Sequence, residues 1–337
     1  MRTGVLFTPP APAQVAALAR ESEAAGFSLF ALGDSQSLFR EVHTSLAVAA
    51  GATSRITLAT GVSNLITRHL AVSASAAATL QEISGGRFVL GLGTGDSAVY
   101  NLGLTAMRRD EFAASIESLR GLLRGEDVTH QGMDIHVRWA DHRVPIYVTA
   151  EGPKMLRLAG RIADGVIVGA GLLPEVIAGS LEHLAAGAAE AGRTLADIDV
   201  WFFAKANLAG TDATAVREIA MALAASANHS FRFHREGKWL PPELVPAIER
   251  LVDRYQPREH EQLGDTVNAR LTDELGLTDY LAARFAVAGT PDTVRARLGE
   301  LAAAGASQIL LAGITPDPLG FVRRWADEVA PSLVTAP

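Results

Sequence analysis

The chain has 337 residues, is 48% hydrophobic and carries a formal net charge of −7, so its charge does not favour binding to nucleic acid. It contains no cysteine, which excludes disulfides, thiolate metal sites and a cysteine nucleophile, and which fits a cytoplasmic location. No apolar run reaches the ~18 residues of a membrane span, and the first residues lack the features of a signal peptide, so we expect neither a membrane anchor nor export.

Eight short apolar runs predict buried strands, and segments with helical spacing alternate with them. The alternation predicts parallel strands joined by right-handed crossovers, and eight such units favour a single-domain (β/α)8 barrel over 1–337. An open doubly wound sheet is the alternative, but it would carry GxGxxG after the first strand, where this chain has prolines. The predicted strands are 4–8, 28–32, 56–60, 88–92, 145–149, 166–168, 200–204 and 308–312. The predicted helices are 13–25, 44–52, 71–83, 110–123, 153–163, 174–191, 213–225, 290–304 and 319–329.

One segment, 229–279, interrupts this alternation between helix seven and strand eight. It is polar, charged and rich in aromatic residues. Long irregular segments inside compact domains are usually functional or disordered. We therefore predict an insertion of short helices that forms a lid over the barrel mouth. An ordinary surface excursion is the alternative.

Glycine-rich and small polar residues follow the predicted strands, most clearly after strand four. There Gly91, Gly93 and Gly95 leave the backbone accessible, and Asp96 and Ser97 follow at once. Active sites of (β/α)8 barrels lie at the carboxyl ends of the strands. The pattern predicts a site that a flat ligand with polar edges can approach closely. A tight turn with a polar cap is the alternative.

The end of strand five predicts an anion site. Gly152 gives access to the backbone, and Pro153 starts a helix whose free N–H groups point back toward the strand end. Glu151 has the wrong charge for this role, so its side chain is expected to turn away. An ordinary Gly-Pro helix start is the alternative interpretation.

Histidines supply only weak candidates. Arg68 and His69 together could bind an anion or donate a proton, or they could simply cap a helix and form a salt bridge. The spacing of His130, His136 and His142 shows no tetrahedral ligand set, so we expect no metal site. The chain also lacks HExxH, P-loop and GxSxG motifs, which argues against a zinc enzyme or a serine hydrolase.

Three stretches, 58–96, 145–167 and 285–313, together resemble the bacterial luciferase-like superfamily of flavin- and deazaflavin-dependent oxidoreductases. The second and third are especially similar to its methylene-tetrahydromethanopterin-reductase-like branch. The resemblance implies a TIM barrel, an FMN or coenzyme F420 cofactor, a small-molecule substrate and a homodimer. It also implies a cis peptide bond at Gly61–Val62 beside the ring of the cofactor.

The resemblance also implies the roles of individual residues. The loop at Thr94 would run along the ring, and the loop at Glu151 would bind the phosphate. The residues implied for the cofactor are Gly61, Val62, Ser63, Thr94, Gly95, Asp96, Thr149, Ala150, Glu151, Gly152, Gly169, Ala170 and Gly171. The candidates near the reacting end are Asp34, Ser35, Asn64, Arg68 and His69.

The leading hypothesis is a two-component monooxygenase that uses reduced FMN from a separate flavin reductase, because the chain shows no nicotinamide domain of its own. The second hypothesis is an F420-dependent reductase or dehydrogenase. Several deazaflavin enzymes of the superfamily have Asp-His where this chain has Asp34-Ser35, which argues against a transfer assisted by a histidine at that position. A non-catalytic flavin-binding protein is the alternative of another class.

Overall fold

A closed barrel of parallel strands forms the centre of the protein, and the computed structural model describes residues 1–333. The barrel closes because the strand at 199–208 pairs with the strands at 165–168 and 308–312, and the strand at 308–312 also pairs with the first strand, at 2–7. The predicted (β/α)8 barrel is therefore confirmed. In order around the barrel, its strands are β1 (Arg2–Phe7), β2 (Leu29–Leu32), β3 (Thr57–Thr60), β4 (Phe88–Leu92), β7 (Ile146–Ala150), β8 (Gly165–Val168), β9 (Asp199–Leu208) and β11 (Gln308–Ala312).

Three further strands lie outside the barrel. β5 (Val128–His130) and β6 (Met133–Ile135) form an antiparallel hairpin, and β10 (Ala286–Gly289) pairs with β9. The helices are α1 (Pro12–Ala24), α2 (Val42–Ala52), α3 (Leu70–Ser84), α4 (Ser97–Tyr100), α5 (Arg109–Leu123), α6 (Pro153–Ile162), α7 (Pro174–Glu190), α8 (Asp212–Glu218), α9 (Ala220–Phe231), α10 (Val245–Arg254), α11 (Val267–Glu274), α12 (Thr278–Phe285), α13 (Pro291–Ala303), α14 (Pro318–Arg324) and α15 (Ala330–Leu333).

Every predicted strand overlaps a barrel strand, but the single helix predicted at 213–225 is wrong. The structure has two helices there, α8 and α9, which meet at Ile219. The cause is a side chain of β9: Asn207 Nδ2 donates to the carbonyl of Ala215 at 3.2 Å. That carbonyl would otherwise accept the N–H of Ile219, which instead bonds to Val216 O at 3.2 Å.

Alternate residues of the barrel strands fill the interior, as strand geometry requires. The lower part of the barrel holds large side chains such as Tyr147 and Trp201, whereas small residues such as Ala31 and Ala312 lie nearer the carboxyl ends. Large side chains therefore fill the lower part of the barrel, and small residues line β2 and β11 near its mouth. This is the end at which the candidate site residues lie.

The segment 229–279 contains the end of α9, the helices α10 and α11, and the start of α12. Its apolar residues, among them Phe231, Leu251 and Leu271, belong to the same buried cluster as the inward-facing barrel residues. The predicted short helices are therefore present. That they act as a lid stays a prediction at this point. No described helix is both long enough and apolar enough to cross a membrane.

Candidate active site

Four neighbouring strand ends carry the residues that the sequence singles out for a cofactor. We call this surface the strand-end slot and define it as 61–63 after β3, 94–96 after β4, 149–152 at the end of β7 and 169–171 after β8. The strands follow one another in the barrel wall, so these segments are adjacent. The four predicted segments thus share one edge of the barrel mouth.

In the middle of the slot, backbone atoms and small groups pack closely against one another. The Gly61–Val62 peptide bond is cis, as the resemblance implies. A Cβ atom on Gly93 would lie 2.9 Å from Thr149 Cγ2 and 3.2 Å from Val62 Cγ2. Only glycine fits this position without displacing its neighbours. The ends of β3, β4 and β7 therefore meet through backbone and small groups.

The carboxylate of Asp34 lies just past the end of β2 and is almost fully buried, with 1% of its side chain exposed. Its Oδ2 accepts hydrogen bonds from Ser63 Oγ at 2.5 Å and from Arg68 Nη1 at 2.8 Å. Its Oδ1 is buried without a hydrogen-bond partner among residues 1–333. Since such an acceptor costs free energy unless something donates to it, the position suits a ligand with an N–H or O–H group.

Arg68 connects this buried acid to the surface. Its Nη2 donates to Oε1 of Glu41, whose side chain is 43% exposed. Glu41 also caps α2 by accepting from Thr44 N. The guanidinium is therefore held by two carboxylates, one buried and one exposed, and it fixes the orientation of Asp34.

Ser35 and Asn64 are both buried near Asp34. Ser35 Oγ accepts a hydrogen bond from Ser97 Oγ at 3.0 Å. Asn64 Oδ1 accepts from the backbone N–H groups of Ile66 and Thr67 at 3.0 and 2.9 Å. The amide oxygen of Asn64 thus holds the loop after β3, and a role near reacting atoms stays a prediction for both residues.

His69 occupies a different environment from the other candidates. It is exposed, and it caps α3 through its Nδ1, which accepts from Ala71 N at 3.3 Å. The structure contains the alternative interpretation of the Arg68–His69 pair, in which the two residues form a salt bridge and a helix cap. Arg68 forms the salt bridges, and His69 forms the cap. A catalytic role for His69 stays a prediction.

A charged cluster joins the ends of β4 and β7 to α9. His229 Nδ1 lies 2.7 Å from Asp96 Oδ2, and its Nε2 lies 3.2 Å from Glu151 Oε1. Arg232 donates to the other oxygen of Asp96, and Ser230 Oγ donates to Glu151 at 3.1 Å. The carboxyl of Glu151 therefore turns toward α9. Both slot carboxylates are tied to cations of the inserted segment.

These contacts shift the protonation equilibria of all three groups. Glu151 foremost, and then Asp96, raise the pKa of His229 to about 10 against the opposing effect of burial, so the ring is an imidazolium at neutral pH. Burial alone would raise the pKa of Asp96, but His229 and Arg232 hold it well below its ordinary value. Burial would also raise the pKa of Glu151, but His229 and Lys238 hold it below its ordinary value. All three groups are charged.

The amino terminus of α6 lies at the slot, next to Lys238 of the inserted segment. Gly152 caps the helix, and a Cβ atom placed on it would lie 3.4 Å from Lys238 Cε. Lys238 Nζ donates to the carbonyl of Ser230 at 2.5 Å. This part of the site contains three cations, His229, Arg232 and Lys238. It contains only two carboxylates, those of Asp96 and Glu151. The positive excess adds to the helix dipole and suits an anionic group at Gly152.

Arg284 fixes the loop that carries Lys238. It is fully buried, and its guanidinium donates to the carbonyls of Ala170, Lys238 and Trp239 at 2.8, 2.6 and 3.0 Å. It therefore ties the loop after β8 to the inserted segment. Within that loop, a Cβ atom on Gly169 would lie 2.8 Å from Glu151 Oε1. The predicted cofactor contacts of 169–171 stay a prediction.

Sequence reasoning missed the basic residues of this region. All three basic residues lie in the segment 229–279, for which the sequence predicts only a covering role, and no spacing rule links them to Asp96: they are His229, Arg232 and Lys238. Lys205 was also missed, although a signal existed. It follows Trp201 and Phe203 at the two-residue period of an inward-facing strand, so a charged side chain inside the barrel mouth could have been predicted.

The protonation of His229 predicts how stability depends on pH. The folded protein keeps this proton up to about pH 10, whereas the unfolded chain loses it near 6.5, so stability falls as pH rises between these values. Because 39% of the His229 side chain is exposed and solvent screens its charge, we expect a fall of about 1–2 kcal/mol. The measurement compares the urea unfolding of the native protein and His229→Gln at pH 6 and 9. Equal pH dependence in both proteins would refute the assignment.

Comparison with known proteins identifies a family model and several sequence relatives that match this chain. The family model described as luciferase-like monooxygenase matches residues 2–308. The chain is 33% identical over 320 residues to a 5,10-methylenetetrahydromethanopterin reductase of Methanolobus tindarius, which covers 92% of this chain and 93% of that one. It is 31% identical over 301 residues to an F420-dependent glucose-6-phosphate dehydrogenase of Beutenbergia cavernae, with 86% and 81% covered.

A solved structure agrees with the sequence relatives. The coenzyme F420-dependent tetrahydromethanopterin reductase of Methanopyrus kandleri superposes with a TM-score of 0.76 at 27% identity, over 98% of both chains. The match includes the barrel and the inserted segment, because almost the whole of each chain is covered. Together with the sequence match over 2–308, this shows that the chain belongs to the luciferase-like family of oxidoreductases.

Proposed function

We propose that this protein is a coenzyme F420-dependent oxidoreductase that transfers hydride between the deazaflavin and a small organic substrate. The observation that carries the proposal is the similarity, over 86% to 92% of the chain, to relatives named as a methylenetetrahydromethanopterin reductase and an F420-dependent dehydrogenase. The solved structure with the TM-score of 0.76 is also named as F420-dependent. This reverses the order of the two sequence-based hypotheses.

The residues of the slot fit an anionic ring cofactor. The positive excess around Gly152 would hold a phosphate, and the unpartnered Asp34 Oδ1 would accept a hydrogen bond from the bound group. When bound, the deazaflavin would supply the carbon that takes up or gives hydride. Asp34 would orient it, with Ser63 and Arg68 holding the carboxylate in place.

The inserted segment supports the same function. His229 and Arg232 neutralise Asp96 and, with Lys238, Glu151, so these carboxylates would not repel a phosphate. The segment 229–279 would act as a lid, because its contacts with the ends of β4, β7 and β9 lie over the mouth of the barrel. A lid would exclude water from the hydride transfer.

An FMN-dependent monooxygenase is the second candidate, since the matching family model carries that description. Under this alternative a separate reductase would supply reduced FMN. Homodimer formation and a cytoplasmic location stay predictions under either function. The two candidates differ in the cofactor that the slot prefers, which can be measured without knowing the substrate.

The experiment is an equilibrium titration of the purified protein with F420 and, separately, with FMN, followed by cofactor fluorescence. We expect F420 to bind at least about ten-fold more tightly than FMN, a difference of about 1.4 kcal/mol. The His229→Gln variant should weaken F420 binding, because it leaves two carboxylates short of a counter-charge. Tight binding of FMN with none of F420 would overturn the proposal.

A further inference from the structure

The residues 256–265 form an exposed loop between two buried ends within the inserted segment. None of the residues 256–265 is buried, whereas Tyr255 and Thr266 on either side are only 8% and 7% exposed. Asn268, which is fully buried, holds the base of the loop through bonds to the backbone N–H and carbonyl of Gln256 at 2.8 and 2.9 Å. The ends of the loop are therefore fixed, while nothing between them is packed into the core.

A single bond joins this loop to the barrel. In the part of the chain that the structure describes, the hydrogen bonds and ion pairs of 256–265 stay inside the insertion, apart from the one that Lys205 Nζ donates to Glu261 Oε1 at 2.7 Å. By contrast, His229 and Arg232 at the start of the insertion both bind slot carboxylates. Segments with few buried contacts open most easily. The loop can thus leave the barrel while the start of the insertion stays bound.

The bond between loop and barrel lies inside the barrel mouth, across from the slot. Lys205 faces inward because it continues the two-residue period of Trp201 and Phe203 on β9. Its strand is four strands from β3 in either direction around the barrel, and β3 ends in the slot. Since Glu261 reaches this lysine, the tip of the loop covers the β9 side of the mouth.

The bond is an ion pair that is almost buried while the loop is closed. The side chains of Lys205 and Glu261 are 6% and 14% exposed. Burial would raise the pKa of Glu261, but Lys205 and then His260 hold it below its ordinary value, so the carboxylate is ionised. Opening would return this carboxylate to water, and its hydration would offset much of the lost attraction. Such a pair defines the closed position without making it hard to leave.

We propose that the 256–265 loop opens and closes over the barrel mouth by itself, and that the Lys205–Glu261 ion pair is the latch that holds it closed. The start of the insertion stays in place when the loop moves, so the anion site at Gly152 is kept. This inference narrows the lid proposed above for 229–279 to one loop, and it holds whichever cofactor the slot binds.

The test uses the absence of cysteine from the chain, because a single introduced thiol then reports on one place. Ala312 is fully buried and pairs in register with Lys205, so its side chain also faces the interior of the mouth. In Ala312→Cys, the thiol should react with the neutral reagent N-ethylmaleimide at least about 100-fold more slowly than in Leu263→Cys, a loop position that is 42% exposed. Equal rates would mean that the mouth is not closed and would overturn the proposal.

Two latch variants are compared in the Ala312→Cys background. Lys205→Met removes a positive charge and Glu261→Ala a negative one, so their direct electrostatic effects on thiol reactivity have opposite signs. We expect both to raise the rate by about ten-fold or more, because either one releases the loop. Asp265→Asn, which alters an exposed ion pair with Arg270, is the matched control and should change the rate less than about two-fold. Unchanged rates in the latch variants, or changes of opposite sign, would overturn the latch.

A second thiol position and hydrogen exchange separate motion of the loop from wider unfolding. Ala77→Cys places the thiol on α3, in the buried cluster between the barrel and its helices. Its rate and the hydrogen exchange at 237–240 should not respond to Lys205→Met. A faster reaction at Ala77 would indicate global unfolding, and faster exchange at 237–240 would indicate that the whole insertion moves, so either result would overturn the proposal. No cofactor enters these assays, so a failure of F420 to bind would overturn the proposed function alone.

Discussion

Exchange of Asp34 for Asn is expected to weaken F420 binding by about 10- to 100-fold. Asn has the same shape, but it replaces an ionised acceptor with a neutral amide, and hydrogen bonds to charged groups contribute about 1.5–3 kcal/mol. The carboxylate is almost fully buried and one of its oxygens has no partner among residues 1–333. The measurement is the F420 fluorescence titration.

Glu41→Gln is the matched control for this variant. Glu41 shares Arg68 with Asp34, but it is 43% exposed and lies on the outer side of the guanidinium. Exposed ion pairs contribute only about 0–1 kcal/mol, so the control should change F420 affinity by less than about five-fold. Equal losses in both variants would mean that Asp34 acts only by holding Arg68.

Replacement of Arg284 by Met is expected to lower the free energy of unfolding by about 3–5 kcal/mol, because one buried and two partly buried carbonyls lose their donor. F420 affinity should fall as well, since the loop that carries Lys238 is no longer tied to Ala170. Urea unfolding gives the first quantity. Hydrogen exchange at 237–240 reports the loosening of the loop.

Arg297→Met serves as the control for packing and charge. Arg297 also donates to two backbone carbonyls, those of Leu172 and Ala283, but it is 21% exposed, so water can replace it. We expect a loss below about 1.5 kcal/mol and unchanged F420 affinity. If Arg284→Met left both the loop and the cofactor affinity unchanged, Lys238 would not depend on Arg284 for its position.

The barrel could be predicted from local pattern because its strands are short apolar runs that end in glycine or small polar residues. The runs at 88–92 and 308–312 coincide with β4 and β11. The hydrophobic pattern does not indicate where a side chain competes for a helix carbonyl, as Asn207 does at Ala215. That is why the break between α8 and α9 was not foreseen.

The site was predictable only in part. Asp34 and the slot segments follow their strands directly, so chain order alone places them at the mouth. The partners of Asp96 are separated from it by 133 and 136 residues and lie on an inserted segment. No period or motif encodes such pairings, since they depend on how the insertion packs back on the barrel.

A crystal structure of the protein soaked with coenzyme F420 tests the central claim most directly. We predict electron density for the deazaflavin ring at the ends of β3 and β4, within hydrogen-bond distance of Asp34 Oδ1, and density for the phosphate at Gly152 and Lys238. Density for F420 outside the strand-end slot, or a slot filled by the protein's own side chains at saturating F420, would contradict the account.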